Sequence, residues 1–472
     1  MPTVYHGGLA QMLIFHYDVR YMDYQAYFKG KRVTVMGLGL LGRGVGDALY
    51  LAEAGAIVTV TDLKSAEELA ESVLLLAGYP NVTLVLGEHR TQDFVDRDLI
   101  LVAAGVPFDS GYLVQARAAG VRLVQSAALF AELSGVPIIG VTGTRGKSTV
   151  THMIHHVLSV TTGETVLLGG NIRGVSNLQL LKSVTAESLC VMELDSWQLQ
   201  GFGWAGISPS VAVFTNFMED HLNYYMTDGK THGEAMKQYF TDKAQIFLHQ
   251  EDSGVFITTP EVFEWIKSTL PRAALGQEVV LADVSVLPED MLLATPGEHN
   301  RLNAALAYEA LKAASLSDEE IFDGLASFPG VPGRLEYLGT FGAGVRVYND
   351  NNATTPAAVI AGLRAVGDIE VERIILIAGG AYKAVDPTPL AEVIPQYCKQ
   401  VILLSGTGTD MLKLLIAAVE VDSLAAAVEA AFAVSAPGDI ILFSPGFASF
   451  GMFKNEYDRN DQFVALITAL DV

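Results

Sequence analysis

Along most of the chain, short β-branched runs alternate with stretches whose apolar residues recur at helical spacing. This is the rhythm of parallel strands joined by crossover helices. Between residues 31 and 133 the runs are "RVTVMG", "IVTVTD", "VTLVLG" and "DLILVAAG". The turn-forming "LSGVP" (133–137) then leads into "PIIGVTG", "SLCVMEL" and "SVAVFTN", with a long helix predicted at about 234–249 and another in "GEHNRLNAALAYEALKAA". After the Pro/Gly-rich "FPGVPGR" (328–334), read as a hinge, come "GVRVYND", "RIILIAGG", "QVILLSG" and "DIILFSP". The pattern predicts an α/β protein of three domains, 31–133, 134–329 and 330–472. Residues 1–30 show no clear periodicity and form an N-terminal extension of unknown role.

Composition narrows the picture. Half of the 472 residues are apolar and the mean hydropathy is +0.33, yet no run approaches the roughly 18 uncharged apolar residues of a spanning helix. The start lacks a basic segment followed by a small-residue cleavage site. The expectation is a soluble, cytoplasmic chain with no stable membrane insertion. Cys190 and Cys398 sit in apolar runs without metal-ligand spacing, so both are expected to be packed, reduced thiols. A net charge of −23 speaks against nucleic acid or an anionic membrane as partner. An anionic substrate would need local cations, metal or helix N-termini.

Two glycine turns carry the candidate chemistry. The first, Gly37-Leu38-Gly39-Leu40-Leu41-Gly42, has G-x-G-x-x-G spacing after a strand, and Asp62 closes the next strand where a ribose-binding acid belongs. By itself it suggests a Rossmann-like domain of a dehydrogenase. The second, "GVTGTRGKST", runs from strand to helix. Gly143, Thr144, Arg145 and Gly146 form its turn, Lys147 supplies a charge for phosphates, and the Ser148 or Thr149 hydroxyl is placed for Mg²⁺. It departs from the strict P-loop pattern at Val141. Glu193 and His221 follow strands of the same block, where a parallel sheet gathers ligands. Glu193 is the natural Mg²⁺ ligand and His221 a secondary one, with Asp220 as its rival.

In order, "GVTGTRGKST", "ELDSWQL", "NFMEDHLNYY", "YFTDKAQI", "GEHNRLNAALA", "YNDNNATTP" and "FKNEYDRNDQF" resemble the Mur ligases, ATP-dependent amide-forming enzymes of peptidoglycan precursor synthesis. The resemblance runs from about residue 31 to the end. The C-terminal motif is most similar to the branch that couples D-glutamate to UDP-N-acetylmuramoyl-L-alanine. The resemblance implies a Rossmann-like N-terminal domain that holds a sugar nucleotide rather than NAD, a central P-loop ATPase-like domain, and a Rossmann-like C-terminal domain that selects the amino acid. It places Gly39, Leu40, Leu41 and Gly42 at the diphosphate, Asp62 at the uracil or ribose, and Asn171 and His221 beside the sugar substrate. It places Asn300, Asn303, Arg334 and Asp350 at ATP, the last two reaching it after domain closure, and Thr354, Lys383, Ser449 and Phe450 at the amino acid. Catalysis would rest on Lys147, Glu193, His221 and Lys243. Two Mg²⁺ sites are implied, held by Ser148, Glu193 and His221 and by Lys243 carried as a carbamate. A monomer with small-molecule substrates is expected.

Several positions depart from the family pattern. Leu41 replaces a hydroxyl residue, Asn352 a lysine that would meet a substrate carboxylate, Tyr382 an acid and Gly333 a histidine, and the aromatic of "FKNEYDR" falls late, at Tyr457. Another acceptor, such as L-glutamate, therefore stays open. So do a folylpolyglutamate synthase-like ligase and a non-catalytic nucleotide-binding descendant. A dehydrogenase leaves Lys147, Glu193, His221 and Lys243 unexplained.

Overall fold

The computed structural model describes residues 23–40, 42–226, 229–270, 275–342, 344–367, 373–382 and 385–471. Three β-sheets carry the fold, and they fall into two compact units. One unit holds the first two sheets with Asn303–Gly324, and the other holds Leu287–Leu302 and Leu325 onward.

In the first unit, helix α1 (Tyr24–Phe28) is capped by the Asp23 carboxylate and buries Phe28 against the ring of Tyr50. Part of the N-terminal extension thus belongs to the first core. The sheet comprises β1 (Arg32–Met36), β2 (Ile57–Asp62), β3 (Val82–Leu86), β4 (Leu99–Val102) and β5 (Arg122–Val124). Its strands are parallel in the order β3-β2-β1-β4-β5. The order reverses between β1 and β4, and the crevice at their carboxyl ends is where such sheets bind ligands. Helix α2 (Arg43–Glu53) leaves that crest from Gly42, whose φ of 82° suits a residue without a Cβ.

The second sheet comprises β6 (Ile138–Thr142), β7 (Val166–Gly170), β8 (Leu189–Glu193), β9 (Val211–Phe214), β10 (Val255–Thr258) and β11 (Glu278–Leu281). It is parallel in the order β11-β10-β9-β6-β8-β7. Every residue of β6, β8 and β9 is buried, as their continuous apolar runs demand. Helices α3 (Lys147–Thr161), α4 (Ser196–Ala205) and α5 (His232–Ala244) pack around it. The predicted helix at 234–249 ends at Ala244, where the amides of Gln245, Ile246 and Phe247 bond three residues back rather than four, and the Ser208 hydroxyl keeps the helix from resuming. It donates to the Gln245 carbonyl (2.7 Å) and accepts from the His249 amide (3.1 Å), replacing the helical bond between them.

The first two sheets are tied together through α2. The Asp47 carboxylate accepts from the Ser176 hydroxyl (2.6 Å) and the Leu178 amide (3.2 Å), and Glu53 pairs with Lys182 at 2.5 Å. Burial pushes the Asp47 carboxyl up to about 6 despite these donors.

The second unit is built on β12 (Glu336–Phe341), β13 (Val345–Asn349), β14 (Ile374–Gly379), β15 (Cys398–Leu404), β16 (Val419–Val421) and β17 (Ile440–Phe443), in the order β12-β13-β17-β14-β15-β16. Only β12 is antiparallel to its neighbour. The sequence pattern did not mark β12 and β16. Both are edge strands with mixed exposure, which leaves no apolar run to read. Helix α6 (Glu298–Ala313) precedes this sheet, α7 (Pro356–Val366) covers one face and α8 (Glu456–Thr468) lies on the other. Cys190 is buried as expected, whereas Cys398, at the start of β15, is only partly covered; both are free thiols. Among the described residues no helix is long and apolar enough to cross a membrane.

Candidate active site

β6 lies between β8 and β9, so its carboxyl end is flanked by theirs, and three strand ends deliver their side chains to one place. The chain leaves β6 through Gly143 (φ 144°) and enters α3 at Gly146 (φ 79°). A Cβ on Gly143 would stand 1.9 Å from the Thr215 hydroxyl, and one on Gly146 would stand 2.5 Å from the Asn303 carboxamide oxygen. Glycine is required at both.

The turn is braced from the end of β9. Thr144 N donates to Asn216 O (2.9 Å), Arg145 N to Asn216 Oδ1 (2.9 Å), and the Thr215 hydroxyl to Arg145 O (2.5 Å). Thr144 Oγ1 adds a bond to Met218 O (3.2 Å). Thr215 and Asn216 were missed as site residues, although they end "SVAVFTN" at the sheet crest.

Two lysines meet on this turn. Lys147 Nζ lies 3.1 Å from Gly143 O and 3.2 Å from Thr144 O, and Lys243 Nζ lies 2.8 Å from Gly143 O. Lys243 reaches the turn from the last residues of α5 and is 1% exposed. Burial holds its amine well below the ordinary lysine value, and the nearby Lys147 charge adds to this. Asp195, Asp220 and Glu193 oppose it. Asp195, another residue the sequence did not single out, stands two positions after Glu193 and caps α4 through Gln198 N (2.8 Å).

Glu193 ends β8 and is buried, with Asn171 Nδ2 donating to its Oε1 (3.3 Å) and Asn171 N to its carbonyl (2.7 Å). His221 has a left-handed backbone (φ 54°), an uncommon state for a residue with a side chain. Its ring lies 4.7 Å from that of Trp197. Burial lowers its pKa, with Lys243 and Lys147 adding and Asp220 opposing. Asp220 accepts from the His221 amide (2.8 Å) and stands 3.8 Å from the Arg145 guanidinium. Ser148 and Thr149, in the first turn of α3, are buried. Lys147, Ser148, Glu193, His221 and Lys243 therefore share one crest. Among the described residues no three His, Cys, Asp or Glu side chains converge to hold a metal ion, so any cation would rest on a mixed set of donors.

In the first sheet, Gly39 (φ 63°) and Gly42 form the turn and Leu40 is exposed; Leu41 lies outside the described residues. The Asp62 carboxylate is turned onto that loop. It accepts from Leu38 N (2.9 Å) and Gly39 N (3.4 Å), and from Lys64 N (2.9 Å) through its other oxygen. Its first task is to hold the turn.

Asn300 and Asn303 lie one turn apart on α6 and both are buried; Asn300 Nδ2 donates to Pro296 O (2.9 Å). In the second unit, Asp350 accepts from the Ser444 hydroxyl (2.8 Å) and Leu335 N (3.2 Å), with the Arg334 charge nearby. Burial pushes the Asp350 carboxyl up to about 7. Thr354 lies in the loop before α7, and Ser449 is buried beside exposed Phe450. Ser449 follows the bridge that pairs Ala381 with Ala448. Lys383 lies outside the described residues. The C-terminal motif has an unforeseen structural part. Fully buried Arg459 donates to Asn351 Oδ1 (2.8 Å), Asn351 O (2.9 Å) and Phe447 O (3.2 Å), tying α8 to the turn after β13.

Three family models match this chain: the Mur ligase MurD-like N-terminal domain over residues 31–125, the Mur ligase middle domain over 141–275, and the Mur ligase glutamate ligase domain over 333–447. The chain is 39% identical to a UDP-N-acetylmuramoylalanine–D-glutamate ligase of Roseiflexus sp. (strain RS-1), covering 93% of this chain and 98% of the relative. It is 31% identical to the same-named protein of Borreliella afzelii (strain PKo), covering 94% and 98%. Among solved structures it is similar to the UDP-N-acetylmuramate-alanine ligase MurC of Thermotoga maritima (TM-score 0.57, 18% identity, 93% of this chain and 99% of that one). It is also similar to the MurF ligase of the same organism in complex with ADP (TM-score 0.57, 15% identity, 95% and 96%).

Proposed function

Because the chain belongs to the Mur ligase family, we propose that it is an ATP-dependent ligase that joins D-glutamate to UDP-N-acetylmuramoyl-L-alanine in peptidoglycan precursor synthesis. The observation that carries this is the pair of lysines on the Gly143 carbonyl beside Glu193. A glycine turn that offers backbone N–H groups at a helix start together with the Lys147 charge suits a triphosphate, and a dehydrogenase has no use for it. The match over residues 31–125 to a MurD-like N-terminal domain favours a sugar nucleotide in the first lobe over a folylpolyglutamate synthase-like ligase.

The reaction runs in two steps. The substrate carboxylate attacks the γ-phosphate of ATP and ADP leaves, giving an acyl phosphate. The amine of the amino acid then attacks the acyl carbon, and phosphate leaves from the tetrahedral intermediate with loss of the amine proton. Both partners of the first step are anions, so catalysis is positioning and charge neutralisation. The turn from Gly143 to Gly146 cradles the phosphates, Lys147 neutralises them, and Asn303 stands beside the turn.

Mg²⁺ would be held by Ser148 and Glu193, with His221 supporting a second site, and would offset phosphate charge. Lys243 fits that second site as a carbamate. Burial lowers the pKa of its amine, which favours the uncharged form that takes up carbon dioxide, and the carbamate would give oxygen donors where an ammonium gives none. Arg334 and Asp350 are assigned to ATP, and Thr354, Lys383, Ser449 and Phe450 to the amino acid, in a C-terminal domain of residues 330–472. The N-terminal and central domains are assigned to 31–133 and 134–329.

The test is phosphate release with ATP, Mg²⁺ and UDP-N-acetylmuramoyl-L-alanine while amino acids are added singly. Release that requires the sugar nucleotide and D-glutamate supports the proposal. Release with a different acceptor alone moves the specificity, and turnover with none refutes a ligase.

A further inference from the structure

At the carboxyl ends of β1 and β4 lies a cavity of about 180 Å³, behind the Gly37–Leu40 turn. Its lining includes a side chain that lacks a partner: Gln125 is 2% exposed, and neither its Nε2 nor its Oε1 has a hydrogen-bond partner among the described residues. A buried carboxamide left this way costs stability unless something else meets it. The cavity is therefore shaped for a polar occupant.

A diphosphate entering here needs positive charge, and the turn supplies less than its sequence suggests. The amides of Leu38 and Gly39 already point at Asp62. Of the described residues that line the cavity, Arg43 alone carries a positive charge. It is the first residue of α2, whose first turn holds no acid to compete. The Asp47 carboxylate nearby already accepts two hydrogen bonds, from Ser176 and Leu178. Arg43 is also held in place: its guanidinium donates to Asn171 Oδ1, and Asn171 is itself fixed by Glu193. One N–H of the fork is used there, and among the described residues no other hydrogen bond engages the fork, which leaves its remaining donors to phosphate oxygens.

We propose that Arg43 is a substrate-binding residue that grips the diphosphate of the sugar nucleotide, supplying the donor lost where Leu41 replaces a hydroxyl residue. This rests on the reading that the first lobe holds a sugar nucleotide. It separates Arg43 from a merely structural link between the lobes, because a diphosphate grip is felt only by ligands that carry the diphosphate.

Titration calorimetry of the full chain with uridine diphosphate and with uridine, on wild type, Arg43→Met and Arg43→Lys, tests it. A charge-assisted pair predicts that Arg43→Met weakens uridine diphosphate about 10- to 100-fold. Uridine should change less than about threefold, and Arg43→Lys should fall between. Equal losses for both ligands, or no loss, overturn the proposal while leaving the sugar-nucleotide reading intact. Wild type that binds no uridine diphosphate overturns both.

Discussion

The amine of Lys243 lies 2.8 Å from the carbonyl oxygen of Gly143, a hundred residues earlier in the chain. That contact places the end of α5 on the Gly143 turn and holds a desolvated amine, its pKa well below the ordinary lysine value, near Glu193, Asp195 and Asp220. The carbamate proposed for Lys243 is tested by removing its side chain. Lys243→Ala is expected to lower ligase activity by at least about 100-fold, the scale of losing one electrostatic contact to the reacting groups. Acetate or another short carboxylic acid should restore part of it, since a carboxylate replaces the oxygen donors of a carbamate. Loss without rescue would leave Lys243 as a packing residue.

The Gly143 turn has no room for a side chain. Gly143→Ala would drive its Cβ to 1.9 Å from the Thr215 hydroxyl at a φ of 144°. The cost is about 1–3 kcal/mol of local strain, and the brace from Thr215 to Arg145 O should break with it. Binding of a non-hydrolysable ATP analogue should be lost while uridine diphosphate binding is unchanged, as titration calorimetry of both ligands would show.

Asp350 makes the second unit sensitive to pH. Its carboxyl titrates near 7 in the folded protein against 3.8 for the ordinary group, so between those values the folded state binds the extra proton. Stability from this group is present below about 4 and is lost as pH rises through 7, by up to about 1.4 kcal/mol per unit. Hydrogen exchange of β13 and β17, corrected for intrinsic rate, should show protection falling from pH 5 to 8. Asp350→Asn should flatten that slope.

Arg459 is expected to matter for folding before chemistry. Arg459→Met would strip Asn351 Oδ1, Asn351 O and Phe447 O of their donor, at about 1–3 kcal/mol for each buried acceptor left unmet. Amide protection of residues 349–352 should fall sharply while that of the first two sheets stays constant.

The central strands β6, β8 and β9 were legible in the sequence because a parallel sheet covered on both faces reads as continuous β-branched runs, whereas β5, β7, β10 and β11 were not marked. Edge strands β12 and β16 carry no such run. The glycine turns, Lys147, Glu193 and Lys243 could be named from spacing and resemblance, and the structure sets the last three around one crest. The hidden parts depend on partners far away in the chain. Nothing local shows that Asp62 is turned onto Leu38 and Gly39, that Thr215 and Asn216 brace the second turn, that Arg43 reaches Asn171, or that Ser208 sits between Gln245 and His249 past the end of α5. Each is a hydrogen bond between segments at least 20 residues apart, and spacing within one segment cannot reveal it.

The division of labour between the two glycine turns is tested most directly by a crystal structure of the chain soaked with a non-hydrolysable ATP analogue and the uridine sugar nucleotide together. The triphosphate is expected on the turn from Gly143 to Lys147, with the uridine diphosphate group in the crevice beside Gly39 and Arg43. A triphosphate seated in the first lobe, or an empty Lys147 turn at saturating analogue, would contradict the account.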